Sequence, residues 1–162
     1  MNEPGKRVEL TETKTVKKRT WFGLTGSVTI GPDFMHKAGL EGFEVPHPPV
    51  FNLVLRKGLP ENARYALTLT HEFGHLQTAP LILLYTGVML AIHVGSGRAS
   101  VPGIILVLIG SHAFWEIITE LYTVTRDSRF YRESYETVTR IPRIIFWIVT
   151  SALTISGWFG PV

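Results

Sequence analysis

Cysteine is absent from all 162 residues, which removes disulfides, thiolate zinc sites and cysteine nucleophiles and leaves His, Asp and Glu to hold any metal. The N-terminal stretch MNEPGKRVELTETKTVKKRT has no apolar core, so a cleaved secretory leader is not expected. Its basic residues Lys14, Lys17, Lys18 and Arg19 are not interleaved with stacking aromatics. They read as a solvated or lipid-headgroup-facing tail, and no nucleic-acid partner is expected. Formal charge is missing in two further places, residues 79–95 and 144–162, neither of which contains Lys, Arg, Asp or Glu.

What occupies those places is apolar. APLILLYTGVMLAIHVG, VPGIILVLIGSHAFWEIITELYTV and IIFWIVTSALTISGWFGPV each approach the roughly 20 residues that cross a bilayer as a helix. A helix apolar on all sides needs protein or lipid on all sides, and the rest of this chain is too small to wrap three of them. Membrane helices are therefore expected at 79–97, 101–124 and 143–160, making this an integral membrane protein whose first partner is the lipid bilayer. Lys and Arg crowd the region before residue 79 and recur at Arg126, Arg129, Arg132, Arg140 and Arg143, whereas the short connection between the first two spans has only Arg98. The positive-inside rule places the basic side, including the N-terminal part, in the cytoplasm.

Residues 1–60 have a different texture. Thr20 to Ile30 and the stretch VFNLVLR at 50–56 are rich in β-branched and aromatic residues and are bounded by Gly, Pro and Lys-Gly punctuation. Both read as strands. The run ENARYALTLTHEFGHLQT, residues 61–78, then reads as a helix that Pro80 bends or interrupts. The expected fold class is α+β: a single domain over 1–162, with a small N-terminal β-hairpin or sheet, the helix at 61–78 and about three membrane helices.

Within that helix, His71 and His75 stand four residues apart, on one face and one turn apart, so both imidazoles can aim at a single ion. Glu72 lies about 100° round the helix from His71, placed to act on a water held there without ligating the metal. That is the layout of metal-assisted hydrolysis, in which the glutamate takes the water's proton and returns it to the leaving group. The second span supplies the complement. His112, Glu116 and Glu120 step by four along an otherwise apolar helix, and ionisable groups at membrane depth usually face a partner or a cavity. His75 and Glu116 lie about equally far from the tip of the hairpin near 96–100, which puts them at similar depth in antiparallel helices.

HEFGH followed by WEIITE resembles the gluzincin branch of the zincin metallopeptidases, over roughly residues 50 to 127. The resemblance implies Zn²⁺ held by His71, His75 and a downstream glutamate, with Glu72 as general base. It makes Glu116 the third ligand and Glu120 the acidic residue that orients a histidine, in place of the commoner aspartate; the reverse order of the two glutamates is also open. It further implies that VFNLVLR is an edge strand receiving extended substrate, a peptide or membrane protein, by strand addition. Three roles are open to His112: oxyanion donor, ligand in place of Glu116, or hydrogen bonding within the helix pair. Tyr122, Arg126 and Asp127 suit either substrate binding or a salt-linked membrane boundary. His36, His47 and His93 bear no spacing relation to the motif and read as structural or solvent-facing. Two rival functions share these residues. An iron-dependent oxidase or hydroxylase would need a repeat of the Glu-x-x-His formed by Glu72 and His75, or a larger histidine set, and the sequence presents neither. An inactive metal-stabilised scaffold would have no use for Glu72. Substrate and oligomeric state do not follow from the sequence.

Overall fold

A computed structural model describes residues 12–47, 55, 56, 58–97, 99–137 and 140–159. Four strands, β1 (Lys14–Arg19), β2 (Thr25–Ile30), β3 (His36–Leu40) and β4 (Phe43–His47), form an antiparallel sheet in sequential order. Four helices follow: α1 (Glu61–Gly95), α2 (Val101–Arg126), α3 (Ser128–Thr137) and α4 (Arg140–Phe159). The architecture is α+β, with α1, α2 and α4 each long and apolar enough to cross a membrane. At most 28 % of the most apolar stretch of any of the three is buried within the protein. Leu81, Leu83, Leu84, Ile105, Ile144 and Ile148 all face outward, a pattern that suits lipid and penalises water.

The basic run expected to be a tail is instead β1, an edge strand whose lysines are all exposed. Edges tolerate lysine because its charge deters further strand pairing. The stems are also used: Lys18 Nζ lies 4.9 Å from the Phe73 ring centroid and Lys14 Nζ 5.7 Å from that of Tyr65. The strand expected from Thr20 begins only at Thr25, because residues 20–24 close a turn in which Thr20 N–H donates to Leu24 O at 2.8 Å and Gly23 adopts φ +92°. The strand read at 50–56 lies mostly outside the described residues; Leu55 and Arg56, which are described, lie in a turn.

The sheet lies on α1. Val28, Ile30, Phe34 and Ala38 pack with Phe73 and Leu76, so a residue within the motif and the one just after it anchor its helix to the strands. Helix α1 runs unbroken through Pro80, joining the expected motif helix and first span into one element. Proline costs a helix one backbone hydrogen bond, a loss tolerated more often in membrane-type helices than elsewhere. The arginine-containing connection is also helical over Ser128–Thr137, and Tyr131 from it packs with Leu59 and Leu67 of the α1 end.

Helix α2 packs between α1 and α4. Against α4 the fit depends on glycine: a Cβ on Gly110 would meet the Gly157 Cα at 2.8 Å and the Leu153 carbonyl oxygen at 2.9 Å. Such small residues let two backbones approach closely, which is how apolar helices associate when burial in lipid offers no preference. Gly110→Leu should therefore destabilise the fold by about 1–3 kcal/mol through overpacking. Gly87→Ala, where a Cβ meets nothing within 4 Å, should cost no stability. Thermal unfolding of both variants in detergent micelles checks the contrast.

Candidate metal centre

Helical periodicity brings His71 and His75 to the face of α1 that contacts α2, and Gly74 between them lets α2 come close. A Cβ on Gly74 would sit 2.9 Å from Thr119 Cγ2, so no larger residue fits without moving the helices. Across that contact the Nε2 atoms of His71 and His75 are 3.2 Å apart. Glu116 Oε2 is 3.3 Å from His71 Nε2, and Glu116 Oε1 is 3.4 Å from His75 Nε2. One donor atom from each of the three residues lies within 4.8 Å of the others, so the group could hold one metal ion.

The remaining imidazole nitrogens explain why Nε2 points inward. His71 Nδ1 is 3.1 Å from Glu120 Oε2, and His75 Nδ1 is 3.2 Å from Thr119 Oγ1. A carboxylate only accepts, so the His71 proton belongs on Nδ1 and a lone pair is left on Nε2. Lone pairs of His71 and Glu116 then face each other at hydrogen-bond distance. One proton can bridge only a single pair of such atoms, whereas a cation accepts from all three residues at once. Glu116 Oε2 is buried and accepts no hydrogen bond among the described residues.

Glu120 sits behind the ligand group. Its carboxylate is 3.6 Å from Arg56 Nη2 and 3.8 Å from Arg143 Nη1, all three side chains being at most 4 % exposed. Arg56 comes from the turn before α1 and Arg143 from α4, so three separated segments meet on one buried anion. Burial pushes the Arg56 guanidinium below its ordinary pKa, and Glu120 opposes that shift. His112 lies at the rim, its side chain 69 % exposed and its Nε2 3.6 Å from Glu116 Oε1. Trp115 stacks edge-on against His75 with ring centroids 4.9 Å apart, and its indole donates to Thr78 Oγ1 at 2.8 Å.

The strands add residues that the spacing of the motif did not reveal. His36, expected to be structural or solvent-facing, is buried with Nε2 2.9 Å from Glu72 Oε1. His47, directly opposite it in the β3–β4 pairing, has Nδ1 3.9 Å from Glu72 Oε2. The two rings stack with centroids 5.8 Å apart, and His47 lies 6.5 Å from the His75 ring. Burial lowers the pKa of both histidines. In His47 it prevails, while in His36 the hydrogen bond to Glu72, the charge of Glu72 and the Phe34 carbonyl together outweigh it and the pKa rises. A signal for this pair exists in LEGF: Glu41 and Gly42 both take positive φ, the mark of a two-residue hairpin turn that brings residues 36 and 47 face to face. His93, by contrast, is spent locally, 3.1 Å from the Met89 carbonyl one turn back in α1. Of the residues at the end of α2, Arg126 lies over the Tyr122 ring at 5.5 Å and Asp127 accepts from Thr70 Oγ1, which fastens α1 to α2.

No protein-family model, curated protein or solved structure matches the chain.

Removing the Glu120 carboxylate would take an anion away from two buried guanidinium groups and an acceptor away from His71 Nδ1. Glu120→Ala should lose about 3–5 kcal/mol of stability, the usual cost of breaking a buried ion pair. It should also weaken metal binding by about 10–100-fold. Denaturant unfolding and chelator competition in micelles measure the two effects.

Proposed function

We propose that this protein is a membrane-integrated zinc metallopeptidase that hydrolyses peptide bonds near the cytoplasmic interface, with Glu72 as general base. The observation that carries this reading is the convergence of the ligand atoms of His71, His75 and Glu116. The two Nε2 atoms are 3.2 Å apart, one Glu116 oxygen is 3.3 Å from the first and the other is 3.4 Å from the second, spacings comparable with the roughly 3.3 Å between ligands of a tetrahedral zinc at about 2.0–2.1 Å. Three protein ligands in a four-coordinate site leave a position for water or substrate, as catalytic rather than structural zinc requires. A nitrogen and oxygen donor set without thiolate suits zinc in a chain that has no cysteine.

Zinc, when bound, would polarise the scissile carbonyl and make its water acidic near neutral pH. His71, His75 and Glu116 would hold it, and Glu120 would keep the His71 lone pair directed at it. Glu72, beside the ligands but not one of them, would take a proton as water oxygen bonds to the carbonyl carbon. The same proton would pass to the amide nitrogen as the C–N bond breaks, giving a carboxylic acid and an amine. His112 at the rim is within reach of the opening and is a candidate donor to the developing oxyanion. The substrate would be a peptide or a membrane protein presented at the basic end of the helices, where the sheet and α3 gather. That end is cytoplasmic by the distribution of Lys and Arg.

Purified protein should contain about one zinc per chain and cleave peptides. Glu72→Gln should keep the zinc and lose cleavage by at least about a hundredfold, the lower range for a general base, whereas His75→Ala should lose both. Elemental analysis paired with a proteolysis assay reads the two quantities together. Iron at two per chain, or full activity in Glu72→Gln, would sink the reading.

A further inference from the structure

Beyond the ligands and the general base, the sheet holds a histidine whose two ring nitrogens are both committed. His36 Nδ1 is 2.9 Å from the Phe34 carbonyl oxygen, and a carbonyl can only accept. His36 Nε2 is 2.9 Å from Glu72 Oε1. The first contact fixes the proton on Nδ1 and the orientation of the ring, which leaves Nε2 to find a partner elsewhere. Here the second nitrogen is directed across the sheet–helix boundary at one oxygen of the proposed base.

Several features fix that direction. The ring sits on the inward side of β3 with Ala38, and residues 32–34 form a tight turn immediately before it. Phe34 ends that turn with φ +59°, an uncommon conformation for a non-glycine residue that turns its carbonyl back toward His36. Cross-strand His47 stacks on the ring at an interplanar angle of 12° and closes the side away from β2. The consequence lies in the other carboxylate oxygen. Glu72 Oε2 is buried, accepts no hydrogen bond among the described residues and lies 3.9 Å from Nδ1 of His47, whose ring is 6.5 Å from that of the ligand His75.

We propose that His36 is a positioning residue that clamps Glu72 by Oε1, so that Oε2 alone is presented to take and return the proton. A glutamate has three rotatable side-chain bonds and would otherwise sample several orientations beside the metal; the clamp selects one before substrate arrives. This inference rests on the hydrolase reading for its kinetic meaning, but the hydrogen bond itself is testable without any substrate.

The experiment compares wild type, His36→Leu, His36→Gln and Glu72→Gln, each as the full chain loaded with zinc in detergent micelles. Zinc per chain should be equal in all four. On a quenched-fluorescent peptide that wild type cleaves, His36→Leu should lower kcat by about 10–100-fold with KM within about twofold, as loss of a supporting residue does. His36→Gln, which can still donate to Oε1, should recover most of kcat. In ¹⁵N-histidine spectra, the His36 Nε2–H signal should be shifted downfield in wild type and move on Glu72→Gln. Unchanged kcat in His36→Leu, loss of zinc along with activity and no rescue by Gln, or a His36 signal indifferent to Glu72→Gln would each overturn the clamp. If wild type binds zinc but cleaves no peptide, the hydrolase reading falls, while the spectra still decide whether His36 holds Glu72.

Discussion

A carboxylate taken out of water must be compensated, and the carboxylate of Glu120 is compensated from three directions: His71 from α1, Arg56 from the turn before it and Arg143 from α4. Each of those groups is itself buried and would be costly alone. The arrangement is stable only when all the segments that contribute are docked together, so a single anion makes the site conditional on the whole fold. It also explains how α4, which supplies no ligand, belongs to the site. Its buried arginine reaches the anion that orients His71, and its glycine at 157 lets it lie close against α2 at Gly110.

The same economy governs how polar groups are distributed along the membrane-type helices. The outward faces are aliphatic, and the buried His71, Glu72, His75 and Glu120 of α1 and α2 turn toward one another or toward the sheet. Sites of this kind are expensive in an apolar surrounding unless their charges are paired or bound to a cation. Glycine at position 74 serves that pairing by letting Thr119 and its neighbours close over the histidines. The sheet closes the remaining side, bringing His36 and His47 to Glu72. The centre is thus built from two layers of different character, a helical layer that holds ligands and a β layer that holds the adjacent glutamate.

How much of this could be read from the sequence depended on periodicity. His71, His75, Glu116 and Glu120 are related by steps of four, and in a helix such steps translate directly into a shared face. Equal distances from the hairpin tip then matched His75 with Glu116. The apolar runs showed the helices themselves, but not that Pro80 would be absorbed without a break, because the tolerance comes from context and not from the residue. His36 and His47 were hidden for a different reason. Their relation to Glu72 crosses from sheet to helix and has no sequence period, and even their mutual pairing is visible only through the Glu41-Gly42 turn. Arg143 was hidden because an arginine beside an apolar run reads as a boundary charge, and Arg56 because it ends a stretch that reads as an edge strand; both meet Glu120 only through the tertiary fold. Lys14 to Arg19 misled in the opposite sense: an edge strand and a solvated tail can have the same composition.

The uninterrupted course of α1 turns the protein into a ruler. At about 1.5 Å per residue, the 21 positions from His75 to Ser96 span roughly 30 Å, close to the thickness of a bilayer's hydrocarbon layer. With the far end of the helix at one membrane surface, the ligand group falls at the other, and a rigid rod leaves little play in that height. Under the proposed reading, selection of a target would begin with geometry and not with side-chain recognition. A bond would be eligible for cleavage by its elevation above the lipid, and lengthening or shortening the juxtamembrane part of a substrate would move it out of reach as surely as changing its sequence.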